Sequence, residues 1–153
     1  MTIDRYWGRF FGATPDSAIL LDYLDLKDEV VTATEIFADL GLDQLSGNFT
    51  EAHLDATVLG RQYHFDSAFQ VILDLSVLIL ESKQAGCFNL ARVGGARSRM
   101  MRIDIAAKEN TQITQALKYF ALMPEEHAIA QELNDDELFE LGDLCEELRA
   151  QLD

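Results

Sequence analysis

Apolar residues recur along this chain at two spacings, and each change of spacing marks an element. Ile3–Phe11 gathers Tyr6, Trp7, Phe10 and Phe11 ahead of Gly12 and reads as a strand. From Thr14 the spacing turns helical. Thr14 is a capping residue, Pro15 suits the first helical position and Asp16 complements the positive end of the helix dipole. Ile19, Tyr23 and Leu26 follow on one face, with Leu20 and Leu24 beside them. Thr32-Ala33-Thr34-Glu35 fits a capping box in which Glu35 reaches back to the Thr32 amide. Ile36, Phe37 and Leu40 then form a short apolar face, and Gly41 is the left-handed residue that stops the helix.

Leu42–Thr50 reads as a loop turning at Ser46-Gly47-Asn48, and Phe49–Tyr63 holds one or two short strands. Asp66 is placed to cap a helix over Ser67–Gln84. In it, Gln70, Asp74, Glu81 and Gln84 lie near one line at helical period, and almost everything else is apolar. That pattern predicts a central, mostly buried helix. A strand over Val71–Leu80 is the alternative, because periodicity does not separate short apolar runs. Gly94-Gly95 between Cys87–Val93 and Ala96–Ala106 signals a hairpin. Thr111–Met123 carries Ile113, Leu117 and Phe120 on one helical face; Pro124 interrupts it and starts or kinks a further helix. Asn134 caps a last helix over Asp135–Leu152, where Leu138, Leu141, Cys145, Leu148 and Leu152 make an apolar stripe.

This order of elements predicts the α+β class: a small, mostly antiparallel sheet, a central buried helix and a helical C-terminal region. At 153 residues the chain suffices for one core, so residues 1–153 are expected to be one domain, with 124–153 docked on it.

Charge changes the picture. There are 27 acids against 12 bases, a formal net charge of −15. Direct nucleic-acid binding by phosphate neutralisation is opposed by that field, and so is binding to an anionic membrane surface. The distribution is uneven: residues 124–153 hold eleven acids and one base, Arg149, whereas residues 92–102 hold Arg92, Arg97, Arg99 and Arg102 without an acid. The acidic tail reads either as a solvated face or as a surface aimed at a basic partner. The basic stretch reads as paired internally with the tail, or solvated.

Candidate chemistry adds little. The N-terminus lacks the basic and apolar regions of a secretory signal, and the longest apolar run is too short to span a bilayer, which points to the cytoplasm. Cys87 and Cys145 are far apart in sequence with no CxxC pair, as befits two reduced thiols. No HExxH, GxSxG, GxxxxGK[ST] or GxGxxG motif occurs. Glu51, His53 and Asp55 would share one side of a strand, and His64 and Asp66 could join them around zinc or ferrous iron. Such alternation more often marks the wet face of a sheet. No catalytic residue, metal ligand or cofactor is therefore assigned.

Four segments together resemble one family. They are Tyr6-Trp7-Gly8-Arg9-Phe10-Phe11, the helix end Leu21-Asp22-Tyr23-Leu24, Glu35-Ile36-Phe37-Ala38-Asp39-Leu40-Gly41-Leu42, and Asn48-Phe49-Thr50-Glu51-Ala52. They are similar to the immunity protein 22 type of bacterial polymorphic-toxin immunity proteins, over about a third of the chain. Trp7, Gly8, Tyr23, Leu24, Phe37, Asp39, Gly41, Phe49 and Glu51 carry the match. The resemblance implies a small cytosolic protein that binds and neutralises a toxin made by the same cell.

Together with the charge, this predicts a non-catalytic acidic binder whose partner is a basic toxin domain, a nuclease with a basic cleft being one such domain. Charge density selects Asp135, Asp136, Glu137, Glu140 and Asp143 as the binding surface; the resemblance selects Asp43 and Glu51. A second reading is a helical adaptor whose leucine-striped last helix pairs with another helix or with itself as a homodimer. A third is a metal-dependent enzyme using His53 and His64.

Overall fold

The computed structural model describes residues 2–50 and 53–153. Six helices and five short strands alternate along it. First come α1 (Thr2–Tyr6), α2 (Pro15–Leu24), β1 (Val30–Thr32), α3 (Ala33–Leu40) and a 3₁₀ turn at Leu42–Leu45. The hairpin β2 (Leu54–Val58) and β3 (Arg61–Phe65) leads into α4 (Ala68–Ala85). Next are β4 (Phe88–Asn89), a 3₁₀ turn at Leu90–Val93, β5 (Met100–Asp104) and α5 (Ala107–Leu122). Two 3₁₀ turns, Pro124–Glu126 and Ala128–Glu132, precede α6 (Asp135–Leu152).

The α+β class holds, but the strands form two sheets where one was expected. β5 lies between β1 and β4, parallel to the first and antiparallel to the second; β2 and β3 pair antiparallel by themselves. The turn between β2 and β3 is Leu59-Gly60, with φ of 52° and 79°. Two consecutive positive φ values are what a two-residue hairpin requires, and Leu59 accepts one of them at a cost that glycine would avoid. Around Gly94-Gly95 the two runs do return antiparallel, through Phe88↔Met101 and Asn89↔Met100 only, and a 3₁₀ turn replaces most of the first strand.

α4 is the centre of the molecule. Fifteen of its 18 residues are buried, including Gln70, Asp74 and Glu81. Three of the four residues of the polar line seen in the sequence are therefore buried, and only Gln84 at its end is exposed. Asp74 is fully buried, and its carboxylate accepts from the Gly12 amide (2.8 Å), Gln70 Nε2 (3.0 Å) and Ser17 Oγ (2.6 Å). Asp16 accepts from the amides of Asp66 and Ser67, both at 3.0 Å. These bonds fix the start of α2 against the start of α4. Ser67 caps α4 by accepting from the Gln70 amide, so Asp66 is not the cap that the sequence suggested. Ser82 Oγ, which accepts from the Ile103 amide (3.1 Å), ties the far end of α4 to β5.

The aromatic N-terminus is a helical turn followed by a loop, not a strand. Ile3, Tyr6 and Phe10 are buried at three- and four-residue spacing, with Phe11 fully buried beside them, whereas Arg5 and Arg9 point outward. That is helical spacing, and a strand would have needed alternation. The segment closes on Trp7, whose indole N–H donates to the Val93 carbonyl at 2.9 Å. Gly12 has φ +74°, and a Cβ there would lie 2.0 Å from the indole ring, so only glycine fits. Thr32 caps α3 as expected, but Glu35 does not return the bond; its carboxylate goes to Lys27 Nζ at 2.6 Å.

The C-terminal helices pack along each other. Asn110 Nδ2 donates to the Leu152 carbonyl at 3.0 Å, and the Cβ position of Gly142 lies 3.9 Å from Ala121 Cα, so the start of α5 meets the end of α6 and the pair is antiparallel. Leu141, Cys145, Leu148 and Leu152 are buried in the core and Leu138 is half-buried against it. The stripe offered as an adaptor surface is thus consumed within the chain, and that reading is withdrawn. Leu141, Leu148 and Leu152, which are fully buried, each contribute on the order of 1.5–3 kcal/mol.

Candidate functional site

The outward face of α6 is built from its first turn. Asn134 Oδ1 accepts from the Glu137 amide at 2.9 Å, and Glu137 Oε1 accepts from the Asn134 amide at 3.1 Å, a reciprocal capping box. Asp135, Asp136 and Glu137 stand in that turn, where the positive end of the helix dipole tolerates three acids together. Helical spacing then puts Asp135, Asp136, Phe139 and Asp143 on the side opposite the buried stripe, and all four are exposed. Glu140 points along the flank and pairs with Arg9; about two turns further on, Glu147 pairs with Arg5 at 2.9 Å.

The five acids selected on α6 therefore separate into two groups. Glu137 is committed to the cap and Glu140 to Arg9. Asp135, Asp136 and Asp143 have no protein partner among the described residues and are directed to solvent.

Beside these acids runs a groove of about 560 Å³ between the end of α5 and the start of α6. Ala121, Leu122, Leu138, Phe139 and Gly142 form its apolar surface; Glu125, Asp135 and Asp143 edge it. Phe139 is 76% exposed and Leu122 66%, with Met123 next to it at 38%.

The second predicted surface is less defined. Asp43 is exposed on the 3₁₀ turn after α3, and Glu51 lies outside the described residues. The histidine cluster does form in part. Register pairs Asp55 with His64, and His64 Nδ1 lies 2.7 Å from Asp55 Oδ1 while its Nε2 lies 3.1 Å from Asp66 Oδ1. His53 Nε2 is 3.6 Å from Asp55 Oδ2. The Asp55 hydrogen bond, helped by Asp66, holds the His64 imidazole above its ordinary value, so it favours the doubly protonated ring. With both nitrogens facing carboxylate oxygens, His64 has no lone pair directed at a shared ion. Among the described residues, which do not include Glu51, no group of three or more histidine, cysteine, aspartate or glutamate side chains could hold a metal.

The pairs seen among the described residues join the basic stretch to Asp4, Asp25 and Asp104, where the tail was expected. Arg97 meets Asp25 at 2.9 Å, Arg99 reaches Asp25 and the carbonyls of Asp25 and Lys27, Arg92 meets Asp4 at 2.7 Å, and Arg102 pairs with Asp104 at 2.9 Å. The hydrogen bond from Arg97, followed by that from Arg99, holds Asp25 below the usual carboxylate range.

His127 packs against Phe69, Phe120 and Tyr119 with centroids 4.7, 4.9 and 5.3 Å away, and burial lowers its value. Burial pushes the Cys145 thiol up, which makes it a small hydrophobe and not a nucleophile. Cys87 is half-buried and also free. Among the described residues no helix is long and apolar enough to cross a membrane.

No curated protein and no solved structure matches the chain. A family model, Immunity protein 68, matches residues 2–152. The match covers nearly the whole sequence, where the resemblance seen at residues 6–55 covered a third and pointed to type 22 of the same class. The chain therefore belongs to the Immunity protein 68 family, immunity proteins of polymorphic toxin systems.

Proposed function

We propose that this chain neutralises its cognate toxin in the cytoplasm by stoichiometric binding, without turnover, and that the acidic outward face of α6 meets a basic surface of the toxin domain. The observation that carries this reading is the trio Asp135, Asp136 and Asp143: exposed, without a protein partner among the described residues, and mounted on a helix whose opposite face is locked into the core. A rigid element with uncompensated charge steers an oppositely charged partner and disfavours wrong ones. Three other acids of α6 serve the fold: Glu140 and Glu147 hold the α1 region, and Glu137 closes the cap.

The test uses the toxin domain whose growth arrest the wild-type chain relieves on co-expression. Asp135→Lys, Asp136→Lys and Asp143→Lys together are expected to slow association about tenfold or more at low salt and to flatten its dependence on ionic strength. The fold should be retained, since none of the three makes an internal bond, with a cost of about 0.3–1 kcal/mol for each lysine placed at the positive end of the helix dipole. Unaltered association kinetics would exclude this face and transfer the role to the Asp43 turn.

A further inference from the structure

Charge on α6 explains steering but leaves the groove beside it unexplained. Seven large hydrophobic side chains are exposed among the described residues, and two of them, Leu122 and Phe139, line the groove where α5 ends and α6 begins, with Met123 next to Leu122 in sequence. The placement follows from the helices themselves. Met123 leaves helical geometry at φ −135° and Pro124 starts the next turn, so α5 stops with Leu122 uncovered. On α6, Phe139 follows Asp135 by four residues and precedes Asp143 by four, so the ring stands between two carboxylates on one face. Gly142 faces Ala121 across the groove, and the two small residues leave its floor open.

We propose that this groove is the anchor of the toxin interface: it receives an apolar side chain of the toxin domain that is flanked by lysine or arginine, the flanking cations lying on Asp135 and Asp143. The proposal rests on the toxin-neutralising reading above and names what that partner must present. Two features select this occupant. An apolar pocket inside an acidic rim matches the usual anatomy of a binding hot spot, a desolvated centre within a polar edge. A second copy of this chain is disfavoured, because it would bring a molecule of charge −15, and the same acidic rim, against itself.

The test measures affinity for the cognate toxin domain by surface-based kinetics, with Phe139→Ala and Gly142→Leu as the variants. Phe139 is mostly exposed, so its removal spares the core. At Gly142 the Cβ meets only ordinary contact, and a leucine side chain continues into the groove and fills it. Both variants are expected to weaken binding about tenfold or more, mainly through faster dissociation, with the salt dependence kept. Circular dichroism melting that matches wild type shows that the fold is retained. Affinity within twofold of wild type for both variants, while the lysine triple variant still fails, would overturn the groove and leave the electrostatic reading standing. Failure of the wild-type chain to bind the toxin would overturn both readings. Wild-type dimers that Phe139→Ala converts to monomers in light scattering would reassign the groove to self-association and overturn the proposal.

Discussion

Asp74 is the residue on which the N-terminal half turns. Burial, partly offset by bonds from Ser17, Gly12 and Gln70, pushes its carboxyl up to about 7. A carboxyl raised in the folded state binds its proton more tightly there than in the unfolded chain. Its stabilisation is therefore complete below pH about 4 and is lost as pH rises through about 7. Asp74→Asn is expected to flatten this part of the stability profile, read as the urea midpoint at a series of pH values from 4 to 8. Asp74→Ala should destabilise at every pH by about 3 kcal/mol or more, because three buried donors lose their acceptor. A pH slope in Asp74→Asn equal to that of wild type would refute the assignment. Only half of this was readable beforehand. The period of Gln70, Asp74 and Glu81 was visible in the sequence, but the Asp74 partners Gly12 and Ser17 lie 62 and 57 positions away, and nothing local distinguishes a wet polar line from a buried one.

Elements show the same division. The bounds of α6 were legible because every signal for them is local: Asn134 and Glu137 cap it, and the stripe runs unbroken to Leu152. Gly41 likewise ends α3 in the left-handed conformation that the sequence demands. By contrast, β1 has three residues and exists only through parallel pairing with β5, some 70 residues on. The segment from Ile3 to Phe11 misled because its aromatics suggest a strand, although the buried positions 3, 6 and 10 already had helical spacing. The account of α6 as a core-anchored platform makes graded predictions. Leu148→Ala should cost about 2–5 kcal/mol and Asn134→Ala about 1 kcal/mol, measured by equilibrium denaturation. Gly142→Ala should instead stabilise by about 0.5–1 kcal/mol, since the glycine is mid-helix and a Cβ there meets nothing closer than 3.9 Å. A neutral Leu148→Ala would mean that α6 does not rest on the core.

At the scale of the whole molecule, the charge is sorted, not merely abundant. Among the described residues, eight of the twelve bases are paired within the chain, including Arg5 and Arg9 on the flank of α6, Arg97 and Arg99 on Asp25, and Lys27 on Glu35 and Asp39. What remains at the surface of α6 is acid around an apolar groove. The sequence held the total and its bias toward the C-terminus. It could not hold which acids were neutralised, because Arg9 and Glu140 are 131 positions apart. Nor did it show the groove, which arises only where the end of α5 is folded back against the start of α6. The family fixes the task as toxin immunity, and the surface that performs it is the central claim. Hydrogen–deuterium exchange of the chain with and without its cognate toxin domain tests that claim most directly. The account predicts slowed exchange across Leu122–Asp143 on complex formation, with β2 and β3 unchanged. Slowed exchange confined to the Asp43 turn and the β2–β3 hairpin, with the α5–α6 end unaffected, would contradict it.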